Sequence, residues 1–451
     1  MLAQALSFDP ANPAPTLAAL PESPGVFALF GDDPKAEPYL ARTTNLRRRL
    51  KRFLDAKPTQ TRRLRLTERV ARIEYTATGS EFESSLALYD ATRQGFGERA
   101  RKRLHLYAPY FLRMTAKNRY PRVYVTNTVT ISAAASLYGP FPSRAAAERF
   151  SDEALNLFLL RRCYPDLDPD PAFPGCVYSE MKMCLAPCFQ GCTDERYAEE
   201  AARVAAFLAT RGQSLLDELA SQRDAASEEL DFERAAAIHA KIQKVEAVAA
   251  IASDAVRPLA ELRAIIIQPA VQMEGEPGRV ALFQLNAGVL TGPAFYDTLG
   301  MRLHNEQSGS SSLYTHPYAL EAVPLQEPSA RHSPTPPIPT AAAAVVNRRE
   351  AASKDAPRDV LEQRLTEAIN QLDQIQSKSR LDTQTLADHL SLFHRWYHRP
   401  EAKRIGEAVF YLPEAQLSLK QLLRAISRVF RSGLRANAPT SSLTASPLPP
   451  G

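Results

Sequence analysis

Cysteine is nearly absent from this 451-residue chain. There are five, and all lie between Cys163 and Cys192. A secreted disulfide framework spreads its thiols along the sequence, so this clustering argues against one and favours a metal centre. Long apolar runs are missing too: none approaches the roughly 20 residues that span a bilayer, so no membrane partner is expected. The opening MLAQALSFDPANPAP has no basic stretch leading into an apolar one. A secretory signal is therefore not expected, and the expected compartment is the cytoplasm. Acidic residues are scarce where basic ones crowd. Between residues 42 and 72 only Asp55 and Glu68 oppose a basic series that includes Arg42, Arg47, Arg48, Arg49, Lys51 and Arg52. A second series runs from Arg99 to Arg122. A solvated face normally mixes both signs, so a polyanion partner fits this half of the chain better, with a purely solvated face as the alternative.

What is present, 45% hydrophobic and 23% charged residues, describes a globular chain. Its length suggests two to four domains. Short apolar runs and helical patterns alternate at the N-terminal end: GVFALF, PYLAR and RIEYTAT read as strands, and TTNLRRRLKRFL and EFESSLALYDATRQGF as helices. RVYVTNTVTIS reads as a further strand run. GPFPS reads as a turn into a helix bearing Leu155, Leu157, Phe158 and Leu160. From Asp194 to Ala252 the pattern is almost purely helical, with a break near EELDFE that makes two helices. Asp231 is a plausible N-cap, and Phe232, Ala235, Ala236, His239 and Ile242 recur at three- and four-residue steps. AIIIQPA, GRVALFQLNAGVL and AFYDTL read as two or three strands. A Pro-, Ser- and Ala-rich stretch follows, then three amphipathic helices and the strand GEAVFYL. FHRWYHRPEAKR mixes aromatic and basic residues, which suits either contact with nucleic acid or, for Phe393 and Trp396, core packing.

Cys163, Cys176, Cys184 and Cys188 give four thiols within twenty-six residues. Four thiolates satisfy either structural zinc or an iron–sulfur cluster. Paired C-x-x-C knuckles, typical of zinc ribbons, are absent, and the single C-x-x-x-C with two distant partners leans towards a cluster. Unligated burial as small hydrophobes is the alternative.

YGPFPS, RRC, CLAPC and ELDFERAAAIHAKI occur in an order and spacing that resemble the UvrC family, the nuclease subunits of bacterial nucleotide excision repair. The N-terminal segments look like that family's GIY-YIG domain, so the likeness runs from residue 20 to about residue 290. The resemblance implies a 4Fe–4S cluster on Cys163, Cys176, Cys184 and Cys188, with structural zinc as the alternative and Cys192 spare. It implies duplex DNA as a partner. It also implies a UVR hairpin that docks a UvrB-type protein through Phe232, Glu233 and Ala236, with His239 in place of a usual Arg. The architecture it implies is α+β and multidomain: a small α/β GIY-YIG-like domain over 20–130, a cysteine-rich region over 131–193, and a helical region with the UVR hairpin over 194–252. A partial C-terminal α/β segment follows: a remnant of an RNase H-like region over 260–300, a disordered linker over 302–357, and a helical segment of unassigned role over 358–434.

The catalytic positions depart from the family. Tyr39, Arg42 and Arg49 match its Tyr, its Lys and its Arg, whereas Phe27 replaces a Tyr and Ala41 a Gly. Leu88 stands where the metal-binding Glu belongs. Glu83 matches a non-catalytic Glu, and Asp90 lies about 200° further around the helix. Without that Glu, a catalytic Mg²⁺ or Mn²⁺ has no evident ligand, and the resemblance implies a DNA-binding domain with impaired or absent cleavage. The alternatives are an endonuclease whose metal is held by another carboxylate, and a protein scaffold that binds no DNA.

Overall fold

The computed structural model describes residues 2–33, 36–54, 66–164, 167–272, 278–301, 358–378, 382–412 and 417–436. The expected linker over 302–357, the tail from residue 437, and Lys57, Arg62, Arg63 and Arg65 of the basic stretch lie outside these residues. The described chain mixes helices with three four-stranded antiparallel sheets.

The first sheet has the order β1-β4-β2-β3, from β1 (Gln4–Ser7), β2 (Gly25–Phe30), β3 (Tyr39–Thr43) and β4 (Arg72–Ala77). Strand β1 pairs with β4, so this unit begins well before residue 20. Leu46, Leu50 and Leu54 recur every four residues along helix Leu46–Leu54 and pack on Phe27, Leu29, Ile73 and Tyr75. That leaves the basic residues of the helix outward. Helix Glu81–Phe96 covers β3 from elsewhere, and its start is closed by a reciprocal cap. Ser80 Oγ accepts from Glu83 N at 3.1 Å, while Gly79 N donates to Glu83 Oε2 at 2.7 Å.

The second sheet, β6-β5-β7-β8, comprises β5 (Tyr110–Met114), β6 (Val123–Thr126), β7 (Leu137–Phe141) and β8 (Arg257–Pro258). It corrects three expectations. The strand in RVYVTNTVTIS stops at Thr126, because Thr126 Oγ1 accepts from Thr128 N and Thr130 Oγ1 from Ala133 N, local bonds that compete with a ladder. GPFPS is not a turn: Gly139 to Phe141 belong to β7, and Ser143 caps helix Arg144–Leu155 through Ala146 N. That helix ends at Leu155, so Leu157, Phe158 and Leu160 follow it as irregular chain.

The helical region has three helices rather than two, Asp194–Ala209, Gln213–Glu228 and Phe232–Ala249. The first break falls at Arg211 and Gly212, both at positive φ, where the glycine carries the left-handed turn without steric cost. The second and third helices form the expected antiparallel hairpin, and Asp231 Oδ1 caps the third through Arg234 N at 3.0 Å. Its buried stripe is Ile238, Ile242, Val245 and Val248. Phe232 and Ile242 do not share it, since ten residues at 100° each place them about 80° apart.

The third sheet, β11-β10-β9-β12, joins β9 (Arg263–Pro269), β10 (Arg279–Asn286) and β11 (Val289–Asp297) to β12 (Glu407–Tyr411). One face packs Ile265, Ile267, Val280 and Leu282 against helices Arg358–Lys378 and Leu419–Ala436. The other packs Ile266, Ala281 and Phe283 against helix Thr383–Tyr397 and helix Glu81–Phe96. Burial on both faces explains the unbroken apolar run AIII in β9. The segments separated in the sequence reading as a remnant and an unassigned helical tail thus build one three-layer unit. Phe393 and Trp396 lie in its core.

Candidate nucleic-acid interface

Side chains alternate across a strand, so Tyr39 and Arg42 of β3 point to opposite faces. Tyr39, 43% exposed, sets its ring 6.1 Å from Phe27 and 6.0 Å from Phe53. Arg49 stacks its guanidinium 4.4 Å from the centre of the Phe53 ring. Arg42 turns to helix Glu81–Phe96, where it bonds Ser85 Oγ at 2.8 Å and the Glu81 carboxylate at 2.9 Å. Phe27 is fully buried in the first core. Along the basic helix, Arg48, Lys51 and Arg52 are exposed. Arg47 is instead held by Leu20 O and Glu22.

Arg42 and Arg49 come together on one wall of a cleft of about 1240 Å³. The opposite wall belongs to the third sheet and its helix, with Arg404, Glu407 and Arg428. Four carboxylates line the cleft, and three are matched: Glu81 by Arg42 and Arg399, Asp254 by Arg211, Glu407 by Arg428. Glu401 is the fourth. Arg49 and Arg404 have no carboxylate partner among the described residues, and Arg404 lies 5.1 Å from the Tyr397 ring centre. Guanidinium groups beside aromatic rings, spread over both walls, suit a phosphate backbone with stacked bases.

Leu88 lies in a smaller cavity of about 170 Å³, with Leu104, Leu106, Leu392 and Trp396 as an apolar floor and Arg42, Arg395 and Arg399 at its polar side. The nearest carboxylate on that helix face is Glu81, two turns back. Hydrogen bonding from Arg399, and then the charge of Arg42, hold Glu81 down at a pKa of about 2, against a desolvation cost. One carboxylate already bound by two guanidinium groups does not suit a divalent cation. Glu83 is committed to its cap, and Asp90, an exposed residue whose carboxyl desolvation pushes up to about 6, does not line this cavity. Glu81, Arg395, Arg399 and Arg428 were not singled out from the sequence. The signal for two of them was FHRWYHRPEAKR, which supplies Arg395 and Arg399 to this cavity and Arg404 to the cleft.

The cysteines are all free thiols of intermediate burial. Burial first, and then Cys176, Cys188 and Cys163 nearby, push the Cys184 thiol up, and Cys188 is raised by burial, Cys176 and Cys163. Among the described residues no group of three or more His, Cys, Asp or Glu closes to metal-holding distance. Four thiols on one short segment are the donor type of a thiolate centre, although their sulfurs are not drawn together here, and the buried Arg161 donates from Nη1 to Cys163 Sγ at 3.5 Å.

On the hairpin, Phe232 (66% exposed), Glu233 and Ala236 all face outward, opposite the buried stripe. Leu230 is exposed beside them at the tip. The three expected docking residues thus share one open surface.

Two stretches of the chain match known families. Residues 109–207 match the UvrC/Cho excinuclease middle domain, and residues 213–248 match the UvrB/uvrC motif. The UvrABC system protein C of Brucella suis is 31% identical over 220 residues, covering 48% of this chain and 35% of that protein. That of Mannheimia succiniciproducens is 29% identical over 233 residues, with 51% and 38% covered, and that of Moorella thermoacetica is 29% identical over 236 residues, with 51% and 37% covered. The matched stretch thus spans little more than a third of the relatives' length. No solved structure matches the chain. Over these stretches the chain is similar to UvrC proteins, matching the model of their middle domain and that of the UvrB/uvrC motif. Among the described residues no helix is long and apolar enough to cross a membrane.

Proposed function

We propose that this protein serves nucleotide excision repair by binding duplex DNA without cutting it, and by docking a UvrB-type partner through its hairpin. The observation that carries the non-cutting reading is the setting of Leu88. Its neighbours are apolar side chains and three arginines, and the one carboxylate on that face is neutralised. Metal-assisted phosphodiester cleavage needs a cation to stabilise the leaving oxygen, and guanidinium groups alone bind a backbone without supplying one. The exposed Arg48, Lys51 and Arg52 and the cleft residues Arg42 and Arg49 support contact with phosphates, while Tyr39 lies outside the cleft lining.

The cysteine region takes a 4Fe–4S cluster on Cys163, Cys176, Cys184 and Cys188 in this reading. A bound cluster supplies cross-links to a stretch with little regular structure, and so folding energy. The hairpin offers Phe232, Glu233 and Ala236 to a like hairpin of the partner. The test pairs binding with cleavage. The protein should shift a labelled duplex at low salt, lose affinity steeply as salt rises, and leave supercoiled DNA intact with Mg²⁺ or Mn²⁺. Metal-dependent nicking that Arg49→Ala abolishes would show a live endonuclease instead. No duplex binding at low salt would leave a protein scaffold.

A further inference from the structure

Arg122 lies between two tyrosine rings, its guanidinium carbon 5.0 Å from the centre of Tyr124 and 4.9 Å from that of Tyr164. Tyr164 is 73% exposed, unusual for a large aromatic residue. Alternation places the rest of the surface. Leu112, Met114, Val123 and Val125 turn inward to the core beneath β5 and β6, so Arg113, Arg122 and Tyr124 take the opposite face, where each is half-buried. Arg113 stands directly opposite Tyr124 in the strand register. Lys117 is exposed in the turn between the two strands. Neighbouring Arg119 and Arg144 are matched by Asp194 and Glu148. Arg113, Lys117 and Arg122 have no carboxylate partner among the described residues.

We infer that this face is a second nucleic-acid site, separate from the cleft, and that it takes single-stranded DNA. A duplex keeps the faces of its bases stacked inside, so an open tyrosine ring offers nothing to it beyond its edge. An unpaired base can stack on the free side of Tyr164, while its flanking phosphates meet Arg113, Lys117 and Arg122. Arg122 fixes the ring plane through its own stacking, so the platform is formed before the strand arrives. The inference does not depend on the cleft, since it rests on other residues and a different form of DNA.

The experiment measures fluorescence anisotropy of a labelled oligothymidylate and of a labelled duplex with the full chain at low salt. Tyr164→Ala should weaken oligothymidylate binding about tenfold, as expected for losing one stacked base, and leave duplex affinity unchanged. Tyr164→Phe should keep both, because stacking needs the ring and not the hydroxyl. Arg122→Gln should weaken oligothymidylate binding and flatten its salt dependence. Two outcomes would overturn the inference: Tyr164→Ala binding the oligothymidylate as the wild type does, or Arg49→Ala weakening it as much as Tyr164→Ala. The second would put the single strand in the cleft. Loss of duplex binding alone in Arg49→Ala supports two separate sites.

Discussion

Arg399 grips the Glu81 carboxylate with both terminal nitrogens, at 2.5 and 2.8 Å, and so ties the C-terminal unit to helix Glu81–Phe96. Arg42 reaches the same carboxylate from β3. Three groups that lie far apart in sequence therefore meet beside Leu88, at the surface where a metal-dependent nuclease would need free carboxylates.

This meeting sets the outcome of restoring the missing acid. A glutamate at position 88 would enter a cavity bordered by Arg395 and by Arg42 and Arg399, the two that already hold Glu81, and their charges would hold it too. Leu88→Glu should accordingly fold and remain unable to nick supercoiled DNA with Mn²⁺. Phe27→Tyr should not help, since that side chain is buried in the first core and away from the cavity. Nicking by the Leu88→Glu protein, measured as conversion of supercoiled to open-circular plasmid, would show that these arginines yield the site to a metal.

The hairpin gives a prediction with a clear contrast between binding and stability. Phe232 and Glu233 are exposed, so replacing both by Ala should change unfolding free energy by no more than about 0.5 kcal/mol. An exposed aromatic anchor lost from an interface costs about 2 kcal/mol or more. Calorimetric titration with a UvrB-type protein should therefore show affinity falling at least about thirtyfold, a factor that corresponds to that energy. A large loss of stability with no loss of affinity would make Phe232 part of the hairpin's own packing.

Cysteine chemistry is checked by metal content. Protein purified without oxygen should be brown, with about four irons and four sulfides per chain, as a cubane cluster on four thiolates requires. Cys184→Ala or Cys188→Ala should bleach it, because a methyl group cannot ligate iron. Chelation should lower the melting temperature of the wild type and leave the bleached variants unchanged. Stoichiometric zinc without sulfide would replace the cluster with a structural zinc site.

Local periodicity carried most of the secondary structure, and helix Glu81–Phe96 is legible to the residue because Ser80, Glu83 and Phe96 mark its ends. Pairing over long distances was not legible. Strand β12 joins β9 across more than a hundred residues, and nothing in GEAVFYL specifies that neighbour. The short strand β5 is not legible because its Arg113 reads as part of a basic series, whereas alternation sets it on the face opposite Leu112 and Met114. The same limit applies to the site. Matching motif positions point to Arg42 and Arg49, but Arg399, which completes the neutralisation of Glu81, arrives from the other end of the chain.

Glu83 makes a prediction about pH. Its carboxyl is buried, and desolvation lifts its pKa to about 7 despite the hydrogen bond from Gly79 N and the nearby Arg279 charge. The unfolded chain has this group near 4.5. Between those values the folded state holds a proton that the unfolded state has released, so stability from this group is complete below about pH 4.5 and is lost as pH rises through 7. Glu83→Gln removes the dependence and keeps an oxygen to accept from Gly79 N. The variant should match the wild type at pH 4.5 and exceed it by about 3 kcal/mol at pH 8, in urea unfolding followed by circular dichroism. His389 acts in the opposite sense. Burial depresses its pKa to about 4, so its stabilisation is lost as pH falls from 6.5. It is present in both proteins and cancels in their difference. An advantage of the variant that is equal at pH 4.5 and pH 8 would mean that Glu83 keeps an ordinary carboxyl pKa in the cap, with water reaching it.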